Sequence, residues 1–121
     1  MNETVRPRPI ELRLREDNTQ LSVTYDNGQR HHFTAEFLRV ESPSAAVKGH
    51  GPGQAVTVSG KRSVRILRLE PVGRYAVRIV FDDGHATGLY SWEYLAKLGR
   101  EQKILWAAYL RQLEEKGLSR D

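Results

Sequence analysis

Val77-Arg-Ile-Val-Phe-Asp-Asp-Gly-His-Ala-Thr-Gly-Leu-Tyr-Ser-Trp-Glu-Tyr-Leu95 is the stretch that decides the fold. Branched and aromatic residues alternate into Asp82-Asp83-Gly84, a second apolar run follows, and Ser91 stands where a helix cap belongs. The stretch therefore reads as strand, tight turn, strand and helix start. A weaker copy lies upstream, Ser22-Val-Thr-Tyr-Asp-Asn-Gly-Gln-Arg-His-His-Phe-Thr-Ala-Glu-Phe-Leu38. Tyr25 aligns with Phe81, Asp26-Asn27-Gly28 with Asp82-Asp83-Gly84 and Phe33 with Leu89; after a one-residue slip Glu36-Phe37-Leu38 aligns with Glu93-Tyr94-Leu95. Two copies are too few for a solenoid. They predict one α+β unit of antiparallel β-hairpins in two pseudo-repeated lobes, with short helices and a C-terminal helix.

Working outward, Ile10-Glu-Leu-Arg-Leu-Arg15 alternates, with Ile10, Leu12 and Leu14 expected inward. Glu16 to Thr19 turns the chain, and Leu21, Val23 and Tyr25 resume the period of two. Thr34 is placed to cap a short helix, Ala35 to Val40, anchored by Phe37 and Leu38. Between the copies, Ser42 to Gln54 holds three glycines and two prolines, the longest irregular segment. Val56 and Val58 are expected as a short strand and Gly60-Lys61 as a turn. Val64 and Ile66 fall on one face while Leu67 and Leu69 fall on the other, which predicts a bulge or a strand buried on both faces near Ile66. Pro71-Val-Gly73 is expected to turn the chain into a strand carrying Tyr75, Val77, Ile79 and Phe81, with Ala86 to Tyr90 returning. Ser91 caps a helix through Leu98, with Gly99 as its stop. A second amphipathic helix, Glu101 to Lys116, is expected to bury Leu105 or Trp106, Tyr109 or Leu110, and Leu113. The organisation expected is a flexible arm over 1–8, one domain over 9–117 and a tail over 118–121.

A chain of 121 residues can bury a core without cross-links. The absence of cysteine excludes disulfides, thiolate metal sites and a cysteine nucleophile. No apolar run approaches a membrane span, and Met-Asn-Glu-Thr-Val-Arg-Pro-Arg-Pro lacks a signal-peptide core, so a cytoplasmic protein without membrane contact is expected. The net charge of +4, from 19 Lys and Arg against 15 Asp and Glu, permits nucleic-acid binding without indicating it. Arg13, Arg15, Arg65, Arg68 and Arg78 are the residues an arginine-rich sheet face would use; a solvated face is the default, so nucleic acid is disfavoured as a partner.

His85 follows the second turn beside Asp82 and Asp83, where turn polarity alone accounts for it. His31 and His32 point to opposite faces of one strand, so they do not chelate together and are expected at a solvated edge. His50, between two glycines, is the best exposed imidazole. With His85 and one of Asp82, Asp83 or Glu41 it would make a hard iron or zinc site, the alternative to a chain with no cofactor. Gly49-His-Gly-Pro-Gly53 is a weak anion loop because Pro52 removes a donor. Ser42, Ser44, Ser59, Ser63 and Ser91 have no histidine at a recognisable triad spacing, so no enzymatic activity is expected. Tyr90, Trp92 and Tyr94 read as core or as a stacking platform.

Asp82 to Leu95, with Phe37-Leu-Arg-Val-Glu-Ser-Pro-Ser44 and Gly49-His-Gly51, closely resembles the small bacterial proteins of the DUF971 family, equated with the N-terminal domain of gamma-butyrobetaine hydroxylase. The resemblance covers roughly residues 8 to 100. In the hydroxylase this domain precedes an iron and 2-oxoglutarate dioxygenase domain and binds zinc through three cysteines and a histidine. Carried over by motif, those ligands fall near Ser42, Ser44 and Val47 and on His85, so only the histidine is kept and the zinc site is expected to be lost. No His-x-Asp pair for the dioxygenase iron occurs. The same domain also appears joined to carriers of iron–sulfur clusters, which implies an accessory role near iron metabolism. The function expected is a non-catalytic accessory module binding an unknown protein partner through Ser42, Ser44, His50, His85, Tyr90 and Trp92.

Overall fold

The computed structural model describes residues 8–48 and 56–121. Strands β1 (Pro9–Arg15), β2 (Gln20–Tyr25) and β3 (Arg30–Thr34) form an antiparallel sheet in that order, and α1 (Ala35–Val40) follows at once. After the single turn α2 (Ala45–Lys48), strands β4 (Ile66–Val72), β5 (Ala76–Phe81) and β6 (Leu89–Ser91) form a second antiparallel sheet in that order, continued by α3 (Trp92–Glu115). The fold is α+β, as expected.

The two halves repeat each other down to single hydrogen bonds. In the first turn Tyr25 N–H donates to the Gln29 carbonyl at 2.8 Å and Gly28 N–H to the Tyr25 carbonyl at 3.0 Å; in the second, Phe81 N–H donates to the His85 carbonyl at 2.9 Å and Gly84 N–H to the Phe81 carbonyl at 3.2 Å. Gly28 and Gly84 hold φ of 87° and 91°, which side chains adopt only with strain. Thr34 and Ser91 cap the following helices alike, accepting from Phe37 N–H and Tyr94 N–H. The first half reaches its cap in one residue fewer, which accounts for the slip in the alignment.

Neither half closes a core alone. Leu21, Val23, Tyr25, Phe33, Phe37 and Leu38 share one buried cluster with Ile66, Val77, Ile79, Phe81, Tyr90, Leu95 and Leu98. A smaller cluster of Val40, Tyr109 and Leu113 closes under α3. The β1–β2 turn, with Glu16, Asp17 and Asn18 all left-handed, is held to the second sheet by Ile66 N–H on the Asn18 carbonyl at 2.9 Å.

Several expectations are corrected. Ile10 is 69% exposed rather than inward, because the ladder shifts register between Pro9 and Glu11. Val56 and Val58 form no strand; their backbone is spent on Val47 and on the Tyr109 hydroxyl. β4 runs through Pro71 to Val72, so the turn falls at Gly73 to Tyr75 and Tyr75 leaves the strand, 63% exposed. The return strand shortens to Leu89–Ser91. Of the two alternatives near Ile66 the bulge is present, between Ile66 and Arg68, and the strand is not buried on both faces. Gly99 does not stop a helix: α3 is continuous over 24 residues. There, a Cβ on Gly99 would lie 2.6 Å from His31 Nδ1 and closer still to Cγ, so the glycine admits a ring against the helix. His31 is accordingly packed against α3 instead of solvated, while His32 is exposed. Of the alternatives on the last helical stretch, Tyr109 and Leu113 are buried, Leu105 and Trp106 partly so, and Leu110 is exposed.

Candidate functional site

Ser42, just past α1, and His85, just past the second turn, are 43 residues apart in sequence and touch: Ser42 Oγ lies 2.9 Å from His85 Nε2. Ser44 Oγ lies 2.7 Å from Thr87 Oγ1, and Ser44 N–H donates to Ser42 Oγ at 3.2 Å. Beneath them Tyr90, on β6, donates its hydroxyl to the Leu38 carbonyl and also hydrogen-bonds Ser42. The fold leaves room for this approach because residue 88 is glycine; a Cβ there would stand 2.5 Å from Ser42 Oγ.

A carbonyl only accepts, so the single Tyr90 proton goes to Leu38. Ser42 Oγ accepts from Ser44 N–H, and its hydrogen bond with His85 Nε2 takes its direction from the imidazole tautomer. Ser42 and Tyr90 are fully buried, so the run from His85 to Ser42 to Tyr90 to Leu38 is closed to solvent at its inner end. Burial pushes the Tyr90 phenol well above its usual range.

Around the outer end lie Arg39, Lys61 and Asp83. Asp83 Oδ2 takes Arg39 Nε at 2.8 Å and Lys61 Nζ at 2.6 Å, while Asp83 Oδ1 accepts His85 N–H at 3.0 Å. Burial alone would raise the Asp83 carboxyl, but these donors outweigh it and hold it at about 2. His85 is lowered by burial and then by Arg39 and Lys61, against the pull of Asp83. His31 is lowered by burial and then by Arg100 and His32, and its buried Nε2 has no hydrogen-bond partner.

These shifts set a pH dependence. Both histidines bind a proton less readily folded than unfolded, so their contribution is complete above about 6.5 and is lost as pH falls from there through the lower values of the folded state. Asp83 contributes above about 3.8 and is lost toward about 2. Glu41, raised by burial against the pull of Lys48 and Lys97, acts in the opposite sense nearer the carboxylate range. The expected result is lower urea stability at pH 5.5 than at 7.5, with NMR titration midpoints of the His31 and His85 rings below 6.5. A midpoint above 6.5 for His31 would contradict the packing described.

The residues expected at a partner surface separate. Ser42, Ser44 and Tyr90 are buried and offer nothing to a partner directly. His50 and the rest of Gly49 to Gly53 lie outside the described residues, so the proposed pairing of His50 with His85 has no described geometry. Trp92 is half-buried, its indole Nε1 donating to the Arg74 carbonyl at 2.7 Å, and its N–H meets the Tyr75 carbonyl at 2.9 Å. That places Trp92 next to exposed Tyr75, at the end of the β5–β6 ladder where Ser91 pairs with Ala76 and exposed Leu89 with Arg78. Tyr75 was not foreseen because the strand pattern assigned it inward. The arginines divide between sheets and are partly neutralised: Arg13 pairs with Glu11 at 3.0 Å, and Arg68 and Arg78 flank Glu70 at 2.6 and 3.8 Å.

The zinc ligand set implied by the resemblance does not fit these residues. Ser42 and Ser44 present neutral hydroxyls already engaged with His85 and Thr87, Val47 presents only methyl groups, and His85 Nε2 is taken up by the Ser42 hydroxyl. Among the described residues no three His, Cys, Asp or Glu side chains converge as a ligand group, and no helix is long and apolar enough to cross a membrane.

Comparison with known proteins agrees with the fold. No curated protein matches the chain. Two NMR solution structures are similar, one at 45% identity and TM-score 0.83, covering 99% of this chain and 89% of that one. The other has 42% identity and TM-score 0.81, covering 95% and 90%. A crystal structure of a protein of unknown function from Acidithiobacillus ferrooxidans, of the DUF971 family, has 37% identity and TM-score 0.63, covering 76% of this chain and 92% of that one. With the pattern of the family matching residues 12–96, the chain belongs to the gamma-butyrobetaine hydroxylase-like, N-terminal family.

Proposed function

We propose that the chain is a non-catalytic cytoplasmic accessory module that binds a protein partner and carries no metal at the position of the family's zinc ligands. The observation that carries this reading is the state of the Ser42 hydroxyl. It is fully buried and tied to His85, Ser44 and Tyr90, so it meets no substrate, and it is a poor zinc ligand beside Val47. What such a domain offers is its surface. The aromatic end of the second sheet, Tyr75 beside Trp92 with Leu89 on the same short ladder, is the contact surface proposed.

The test is affinity purification of the tagged full-length chain from its native cells. Tyr75→Ala is expected to lower recovery of the co-purifying protein by about ten-fold or more, as truncation of an aromatic anchor costs about 2 kcal/mol. His50→Ala should retain it. A complex lost with His50→Ala but kept with both Tyr75→Ala and Trp92→Ala would sink this reading.

A further inference from the structure

Residues 118–121 do not trail away from α3. Past Gly117, the Leu118 N–H returns to the Leu113 carbonyl at 2.8 Å; the Ser119 carbonyl accepts from Gly60 N–H at 2.9 Å and the Arg120 carbonyl from Arg62 N–H at 3.0 Å. One side chain is inserted. Arg120 Nε and its terminal nitrogen hold the two Glu36 oxygens at 2.8 and 2.7 Å, with the guanidinium 5.2 Å from the Trp106 ring centre. A groove of about 340 Å³ stays open beside it, with Thr34, Phe37 and Gln102 on its walls and Lys103 as a further cation.

This is how a bound peptide is held: a backbone bonded along one side, and one anchor in a pocket that selects it. The selection is chemical. Glu36 is 5% exposed, and a buried carboxylate left without a cation is costly, so a segment that displaces Arg120 must bring its own positive charge. Two parallel hydrogen bonds plus an aromatic face favour a guanidinium over an ammonium.

We propose that the groove bounded by residues 60–62, Glu36 and Trp106 recognises a short arginine-bearing segment of a partner protein, and that residues 118–121 occupy it as an internal ligand. This holds whether or not Tyr75 and Trp92 contact a partner. The probe is a capped peptide with the sequence of residues 117–121, titrated into the full-length chain and followed by the Trp106 indole N–H resonance, with Trp92 as internal control. An internal ligand lowers apparent affinity by the fraction of time it vacates the site. Arg120→Ala should therefore bind the peptide about ten-fold or more tightly than wild type. Adding Glu36→Gln, or replacing the peptide's arginine with glutamine, should abolish saturable binding. Arg120→Gln, which keeps an aliphatic stem over the indole, repeats the experiment if the alanine variant does not fold. Equal affinity for wild type and variant, binding indifferent to the peptide's arginine, no binding to a folded variant, or failure of both variants to fold would each overturn the proposal.

Discussion

Tyr90→Ala is expected to remove about 3–5 kcal/mol of stability, the scale for truncating a large buried aromatic side chain. Tyr90 is fully buried between the halves of the molecule, touching the Tyr94 ring and bonding the Leu38 carbonyl and Ser42. Its removal leaves a cavity and strips both polar groups of a partner. Since a domain of this size is stable by only about 5–15 kcal/mol, the variant should be partly unfolded in mild urea. Tyr90→Phe separates the terms, because the ring stays and only the hydroxyl leaves; about 1–2 kcal/mol is expected for the stranded polar groups. Urea unfolding of both variants at neutral pH makes the check. A loss below about 1 kcal/mol for the alanine variant would mean that Tyr90 does not pin the two halves.

Gly99→Ala should also destabilise, against the sign that helix propensity gives. Alanine in a helix interior is worth about 1 kcal/mol over glycine. Here the added methyl would collide with Cγ and Nδ1 of His31, atoms near the backbone that cannot swing aside as a flexible tip would. Overpacking of this kind costs about 1–3 kcal/mol, so a net loss of up to about 2 kcal/mol is expected. His31→Ala should reverse the sign, making Gly99→Ala stabilising by up to about 1 kcal/mol in that background. Additivity of the two substitutions would show that the ring and the helix are not in contact.

Much of this architecture was legible in local chemistry. Asp82-Asp83-Gly84 and Asp26-Asn27-Gly28 demand a left-handed glycine, and Thr34 and Ser91 are caps by residue type; these depend on neighbours in sequence, and they hold in space. Gly99 and Tyr75 were misread because their roles are set by tertiary contacts: a ring 68 residues earlier needs the glycine, and extension of β4 through Pro71 moves the turn onto Tyr75. The candidate site divides the same way. His85 and the serines were picked out by resemblance, whereas the Ser42–His85 contact was invisible to a spacing argument, which looks for partners at fixed separations. Arg120 carried no local signal either, since its significance lies in Glu36 and Trp106.

Hydrogen bonds among Ser42, Ser44, His85 and Thr87 stand at the positions where the family resemblance would put zinc ligands, and on the reading proposed they take the metal's place. The most direct test of that reading is elemental analysis of the purified chain, coupled to thermal unfolding with and without a strong chelator. No stoichiometric zinc or iron is expected, and a melting temperature unchanged by chelation, because core burial and these hydrogen bonds carry the stability. One metal per chain, with a fall in melting temperature on its removal, would contradict it.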